Sequence, residues 1–154
     1  MGKQDPAQAV SSLEETIEIR RALLEADPRN VRLQRMQIFP HLMLGEVLAD
    51  MHRGSEAVGH FRQAIAAAEP LANSDAGIRG WIARAYSGMG DAEEDIAKRS
   101  PVASPARLNH HQAACASNQR AAEQYRANAR HTKLTKFEAD DLKDVLKALR
   151  SCPP

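Results

Sequence analysis

At 154 residues the chain can fold around one continuous core but hardly around two. Its formal net charge of +1, with 27% charged residues, gives no strong field to select a nucleic acid or a membrane surface as partner. Aromatic residues make up only 4% beside abundant alanine, which favours helices packed through small side chains over a β-sandwich. The opening "MGKQDPAQ" has no apolar signal core, and no apolar run approaches the roughly 18 residues of a membrane span. Pro6 stands where a myristoylation motif wants Ser or Thr, and the ending "SCPP" is not a prenylation box. Cys115 and Cys152 have neither the spacing of a disulfide framework nor that of a zinc finger, so a reducing, cytoplasmic setting is expected.

Asp5-Pro6 reads as a helix start, with Asp as N-cap and Pro in the first turn. Val10, Leu13, Ile17, Leu23 and Leu24 follow at helical period, and Asp27-Pro28 should end the helix. A second helix runs from about Asn30 to His52, with a kink or break expected at Pro40. "HRGSE" at 52–56 reads as a tight turn, with Gly54 as a C-terminal stop and Ser55 as a possible N-cap. The third helix carries Ala57, Val58, Phe61, Ala64, Ile65 and Ala68 on one face and ends near "EPLANSDAG".

A fourth helix holds Ile78, Trp81, Ile82, Ala85, Tyr86 and Met89, and Gly88 and Gly90 are expected to close it. Residues 92–113 then read as a loop or insertion, acidic at first and proline-bearing in "KRSPVASP". Ser104-Pro105 restarts a polar, alanine-rich helix with Leu108, Cys115, Ala122, Tyr125 and Ala129 as its stripe. "TKFE" at 135–138 is a capping box that opens a last helix with Leu142, Val145, Leu146 and Leu149 on one face. Six or seven helices and no convincing strand define an all-α class.

The chain also repeats itself. Leu13 and Phe61 hold corresponding places, each four residues after an alanine, Ala9 or Ala57; they lie 48 residues apart, as do Asp27 and Asp75. "LGEVLADMHRGSEAVGHFRQA" resembles a tetratricopeptide repeat, with Leu44, Gly45 and Leu48 on its first helix and Ala57, Phe61 and Ala64 on its second. "WIARAYSGMGD" resembles the next first helix through Ile82, Ala83 and Tyr86, and "HQAACASNQRAA" its second through Ala114 and Ala121, with Asn118 replacing the large aromatic. The long form "ALLEADPRNVRLQR…LGEVL" and the tail "ALRSC" are similar to the repeat region that follows bacterial serine/threonine kinase domains, although no kinase signature is present. His41 stands in the motif's tryptophan place, and the expected proline is displaced to Pro70. The resemblance implies a right-handed solenoid of about two and a half helix pairs over 5–134, with a C-terminal capping helix over 135–152. Gly45 is then the small residue that lets the Phe61 helix approach closely.

Little in the chain points to catalysis. "GSEAVG" has two glycines, but His60-Phe61 follows where a phosphate-binding loop needs Lys and Ser/Thr. There is no HExxH and no GxSxG, and no acid pair stands in an apolar setting, so the chain is read as non-enzymatic and without cofactor. His110, His111 and Cys115, with His131 and Cys152, are the only conceivable metal donors, and a small core cysteine with surface histidines is the preferred reading. Lys98, Arg99, Arg107, Arg120, Arg126, Arg130, Lys133 and Lys136 face only Glu123 as a counter-charge over 98–136. A solvated helix face is preferred there to a nucleic-acid or acidic-partner site.

The resemblance places partner recognition on the first helix of each pair, at Leu42, Glu46, Ala49, Asp50, Arg84 and Ser87. The Lys/Asn clamp of chaperone-binding members is missing, and Glu46 with Asp50 suggests a basic or mixed peptide. The expected function is therefore a protein- or peptide-binding scaffold module with no membrane partner. Two alternatives stand beside it: a structural C-terminal remnant of a larger kinase-linked or scaffold protein, or a weak nucleic-acid binder through 98–136.

Overall fold

The computed structural model describes residues 5–73 and 75–153, and among these it is all-helical with no strand. Six helices follow one another: α1 (Pro6–Ala26), α2 (Val31–Asp50), α3 (Gly54–Ala68), α4 (Ala76–Arg99), α5 (Pro105–Ala129) and α6 (Lys136–Ala148). Short 3-10 turns extend α3 over Glu69–Leu71 and α6 over Leu149–Ser151. Side-chain caps set the starts. Asp5 accepts from the Ala7 amide at 3.0 Å, Asn30 from Leu33 at 3.2 Å, Asp75 from Gly77 at 2.8 Å and Ser104 from Arg107 at 3.1 Å. Thr135 and Glu138 complete the capping box of α6, and α1 stops at Ala26 ahead of Asp27-Pro28.

Each helix packs against the next, and α4 also touches α2 and α6. One core joins α1 to α4 through Val10, Ile17, Ile38, Leu42, Leu44, Leu48, Phe61, Ile65, Ile78 and Ile82, among others. A smaller cluster holds α6, where Ala121, Ala122 and Val145 meet Leu142, Leu146 and Leu149; Tyr86 packs against both.

Several elements differ from the sequence expectation, each for a physical reason. Pro40 neither breaks nor ends α2, which runs unbroken from Val31 to Asp50. A proline there removes the donor that would serve the Met36 carbonyl one turn earlier, and the Arg20 guanidinium of α1 donates to that carbonyl instead. Gly54 is the first residue of α3 and not a stop; His52, at φ 58°, takes the left-handed place in the turn. Gly54 is small because a Cβ on it would lie 2.7 Å from Ile96 Cγ1.

Gly88 and Gly90 do not close α4 either, since the helix continues to Arg99. Both admit a neighbour: a Cβ on Gly88 would strike the Phe61 ring, and one on Gly90 would come within 2.8 Å of the Asn118 side chain. The stretch 92–113 is correspondingly not a loop. It forms the C-terminal turns of α4 and the N-terminal turns of α5, joined across 100–104, with Ala103 left-handed at φ 61°. Glu93 to His110 at 2.6 Å and Glu94 to His111 at 2.9 Å tie the two extensions together. On α5 the expected stripe turns slightly. Ala122 and Tyr125 are buried and Cys115 partly so, while Leu108 and Ala129 face solvent and Ala114, Ser117, Asn118, Ala121 and Asn128 turn inward.

The largest correction concerns the cysteines. Cys115 and Cys152 are disulfide-bonded across 37 residues, with Cα atoms 5.8 Å apart. The bond removes the ground on which a reducing compartment was expected, because that expectation rested on two unpaired thiols.

Candidate functional site

The six residues expected to line a groove on the first helices fall into three groups. Leu42 is fully buried in the α1–α4 core and Ser87 is nearly so, hence neither is an exposed groove position. The reason is the α6 helix as much as the core. Ser87 donates to Asp141 of α6 at 2.9 Å, and the Phe137 ring of α6 stacks on the Arg84 guanidinium at 4.9 Å. Arg84 also donates in parallel from Nε and a terminal nitrogen to both oxygens of Glu46, at 2.5 and 2.7 Å, so α2 and α4 are joined by a two-point ion pair.

Only Glu46, Ala49 and Asp50 remain on an open surface feature. They line a groove of about 330 Å³ with His52, Asp91, Ala92 and Asp95, floored by Phe61 and Gly88. Phe61 reaches this floor from α3 because neither glycine carries a side chain: a Cβ on Gly45 would lie 2.8 Å from Phe61 Cδ1, and Gly88 is approached more closely still. The ring is therefore clamped between α2 and α4.

The groove is acidic but unevenly neutralised. Glu46 is held by Arg84, and Asp95 by Arg99 at 2.9 Å and His52 at 3.3 Å. Asp50 and Asp91 have no ion-pair partner among the described residues. Asp91 is open on its own surface yet set among packed helices. Partial desolvation, reinforced by the negative Asp141 and Asp144 and opposed by Lys98, pushes its carboxyl above the usual range. Such a carboxylate gains from an incoming cation more than a freely solvated one would. Sequence reasoning found Glu46, Ala49 and Asp50 but missed Asp91, Asp95 and the Phe61–Gly88 floor. The acidic run "DAEED" carried the signal and was assigned to a loop.

Other sequence candidates are placed elsewhere. Trp81 packs against the core at 6.3 Å from the Phe39 ring, with the Arg35 guanidinium 5.5 Å over its face. Cys115 and Cys152 spend their sulfurs on each other, and among the described residues no group of three or more His, Cys, Asp or Glu could hold a metal ion. Of the basic residues over 98–136, Lys98 pairs with Glu94, Arg99 with Asp95 and Arg120 with Glu123. No helix among the described residues is long and apolar enough to cross a membrane. Comparison with protein-family models, with curated proteins and with solved structures finds no match.

Proposed function

We propose that the chain is a non-catalytic helical-repeat module that binds a basic peptide segment in the groove between α2 and α4. The observation that carries the reading is the groove itself: two carboxylates without an ion-pair partner among the described residues, Asp50 on α2 and Asp91 on α4, beside the half-exposed Ala49 and Gly88, with Phe61 and Ala92 buried beneath. A groove with a little accessible apolar surface and a few convergent charges suits a Lys- or Arg-bearing side chain that lays its methylenes along Ala49 and Gly88 and its charge between the acids.

The tetratricopeptide-like arrangement is part of the same proposal and has its own support. The helices α2 and α3 form one antiparallel pair and α4 and α5 a second, with α2 and α4 in contact as first helices of a stack would be. The Gly45–Phe61 contact is the small-to-large pairing that the motif demands. On α4 and α5, Gly90 faces Asn118 and Gly80 approaches Asn128. That register sets Ala83 across from Tyr125, which supplies the aromatic that Asn118 failed to supply in sequence.

The test is binding of fluorescent Lys- and Arg-rich peptides, compared with acidic and neutral ones, to the wild type and to Asp50→Asn/Asp91→Asn. Removing the two unpaired charges while leaving Glu46–Arg84 intact should weaken basic-peptide binding by about tenfold, roughly 1.4 kcal/mol. Absence of binding to any basic peptide, or equal affinity in the double variant, overturns the proposal.

A further inference from the structure

The disulfide sits in an unusual polar setting. Cys115 lies on α5 and Cys152 follows the 3-10 turn after α6, so the bond fastens the end of α6 to the body of the protein. His111, one turn before Cys115, places Nε2 3.9 Å from Cys115 Sγ, and its Nδ1 meets Glu94 of α4 at 2.9 Å. The same Nε2 lies 3.3 Å from the Ser151 carbonyl in the tethered turn. Glu94, Lys98, Asp91 and Cys152 share a cavity of about 160 Å³ beside the bond, and Arg107 is the further charge near His111.

The rest of α6 is weakly held. Val145 is its one buried residue, with the partly buried Leu142, Leu146 and Leu149 beside it, and its further anchors are Asp141 with Ser87 and Tyr125, Glu138 with Asn128, and Phe137 on Arg84. Those contacts cover the α4 face that carries Arg84 and Ser87.

We infer that Cys115–Cys152 is a thiol-exchange site for a dithiol reductant, with Cys152 the attacked sulfur and Cys115 the leaving group, and that its opening releases α6 from α4. One thiolate of the reductant attacks Cys152 Sγ and forms a mixed disulfide. The Cys115–Cys152 bond breaks, and its electron pair leaves on Cys115 Sγ. The imidazolium of His111 faces that sulfur and stabilises the thiolate; a better-stabilised leaving thiolate departs faster. The second thiol of the reductant then attacks its own sulfur in the mixed disulfide and expels Cys152. The reductant ends as a disulfide, having lost two electrons, and its two protons balance the two cysteine thiols. Glu94, hydrogen-bonded to His111, holds the imidazolium above its ordinary range. With the tether open, α6 keeps only Val145, three partly buried leucines and its polar anchors, and the Arg84–Ser87 face of α4 becomes accessible.

The test uses the full chain with excess dithiothreitol at pH 7, following free thiols by mass labelling and backbone hydrogen exchange in parallel. His111→Gln should slow reduction about tenfold, because the departing thiolate loses its cationic neighbour. Equal rates overturn the leaving-group assignment. On reduction, exchange protection over 136–151 should fall at least tenfold while α1–α4 keep theirs, and Cys115→Ser/Cys152→Ser should show the same pattern without reductant. Unchanged protection of α6, or loss of protection throughout the chain, overturns the release. Neither readout depends on what the α2–α4 groove binds.

Discussion

At the scale of single residues, three substitutions separate packing from propensity. Gly59 is exposed on α3 with nothing near the place of a Cβ, so Gly59→Ala should stabilise by about 1 kcal/mol. The same change at Gly45 gains the same helix propensity but drives a methyl into the Phe61 ring, and the ring cannot retreat because Gly88 backs it. Net destabilisation of about 1–3 kcal/mol is expected in urea unfolding, with partial recovery in Gly45→Ala/Phe61→Leu. Arg20→Met should cost about 1–3 kcal/mol by stranding the Met36 carbonyl. In a Pro40→Ala background, which restores the helix donor, the same change should cost much less; a double-mutant cycle without coupling would refute this role of Arg20. His41 and His60 stack at 5.4 Å with their Nδ1 atoms 3.1 Å apart, so one ring can donate to the other unless both are protonated. Burial, with a smaller push from His60, lowers His41 to about 4, and burial lowers His60 against the opposing pull of Glu14 and Glu56. The unfolded chain therefore binds more protons than the native one between about pH 6.5 and 4. Stability from this pair is complete above that window and is lost as pH falls through it. His41→Gln should flatten that part of the wild-type profile of urea midpoint against pH.

At the scale of elements, starts marked by a side-chain cap were legible, as was the end of α1 at Asp27-Pro28, whereas the end of α4 was not. Asp5, Ser104 and Thr135 announce their helices through local chemistry, because a cap acts within three residues of itself. Thr135→Ala, which removes the hydroxyl that accepts from the Glu138 amide but keeps the backbone donor to the Glu138 carboxylate, should raise hydrogen exchange in the first turn of α6 and cost about 1 kcal/mol. Gly88 and Gly90 misled because the same residue serves as a stop or as a contact, and only the neighbour decides. Phe61 and Asn118, distant in sequence, decide here. The run 92–113 misled for a similar reason: its acids look like a solvated loop until His110 and His111 are placed opposite Glu93 and Glu94. Of the expected groove, Glu46, Ala49 and Asp50 came from the resemblance and lie on an open surface, whereas Leu42 is core and Arg84 and Ser87 are covered by α6, whose docking site no local pattern encodes.

For the whole molecule, the all-helical class followed from composition and period, but the pairing of Cys115 with Cys152 could not. Two cysteines 37 residues apart meet only because α5 and α6 turn back on one another. The clamped ring of Phe61 has a further consequence at this scale. It touches the backbone of α2 at Gly45 and of α4 at Gly88, so these helices cannot slide or spread without expelling an aromatic side chain from a fully buried position. The distance between the groove walls is thus set by a single aromatic ring, like a shim between two plates. A ligand meets walls already at their final separation and spends no free energy drawing them together. A ring held this tightly should also flip slowly, and its two edges should give separate proton resonances at low temperature in the wild type. In Phe61→Leu the shim is smaller and fills the space incompletely, and groove width should become responsive to whatever occupies it.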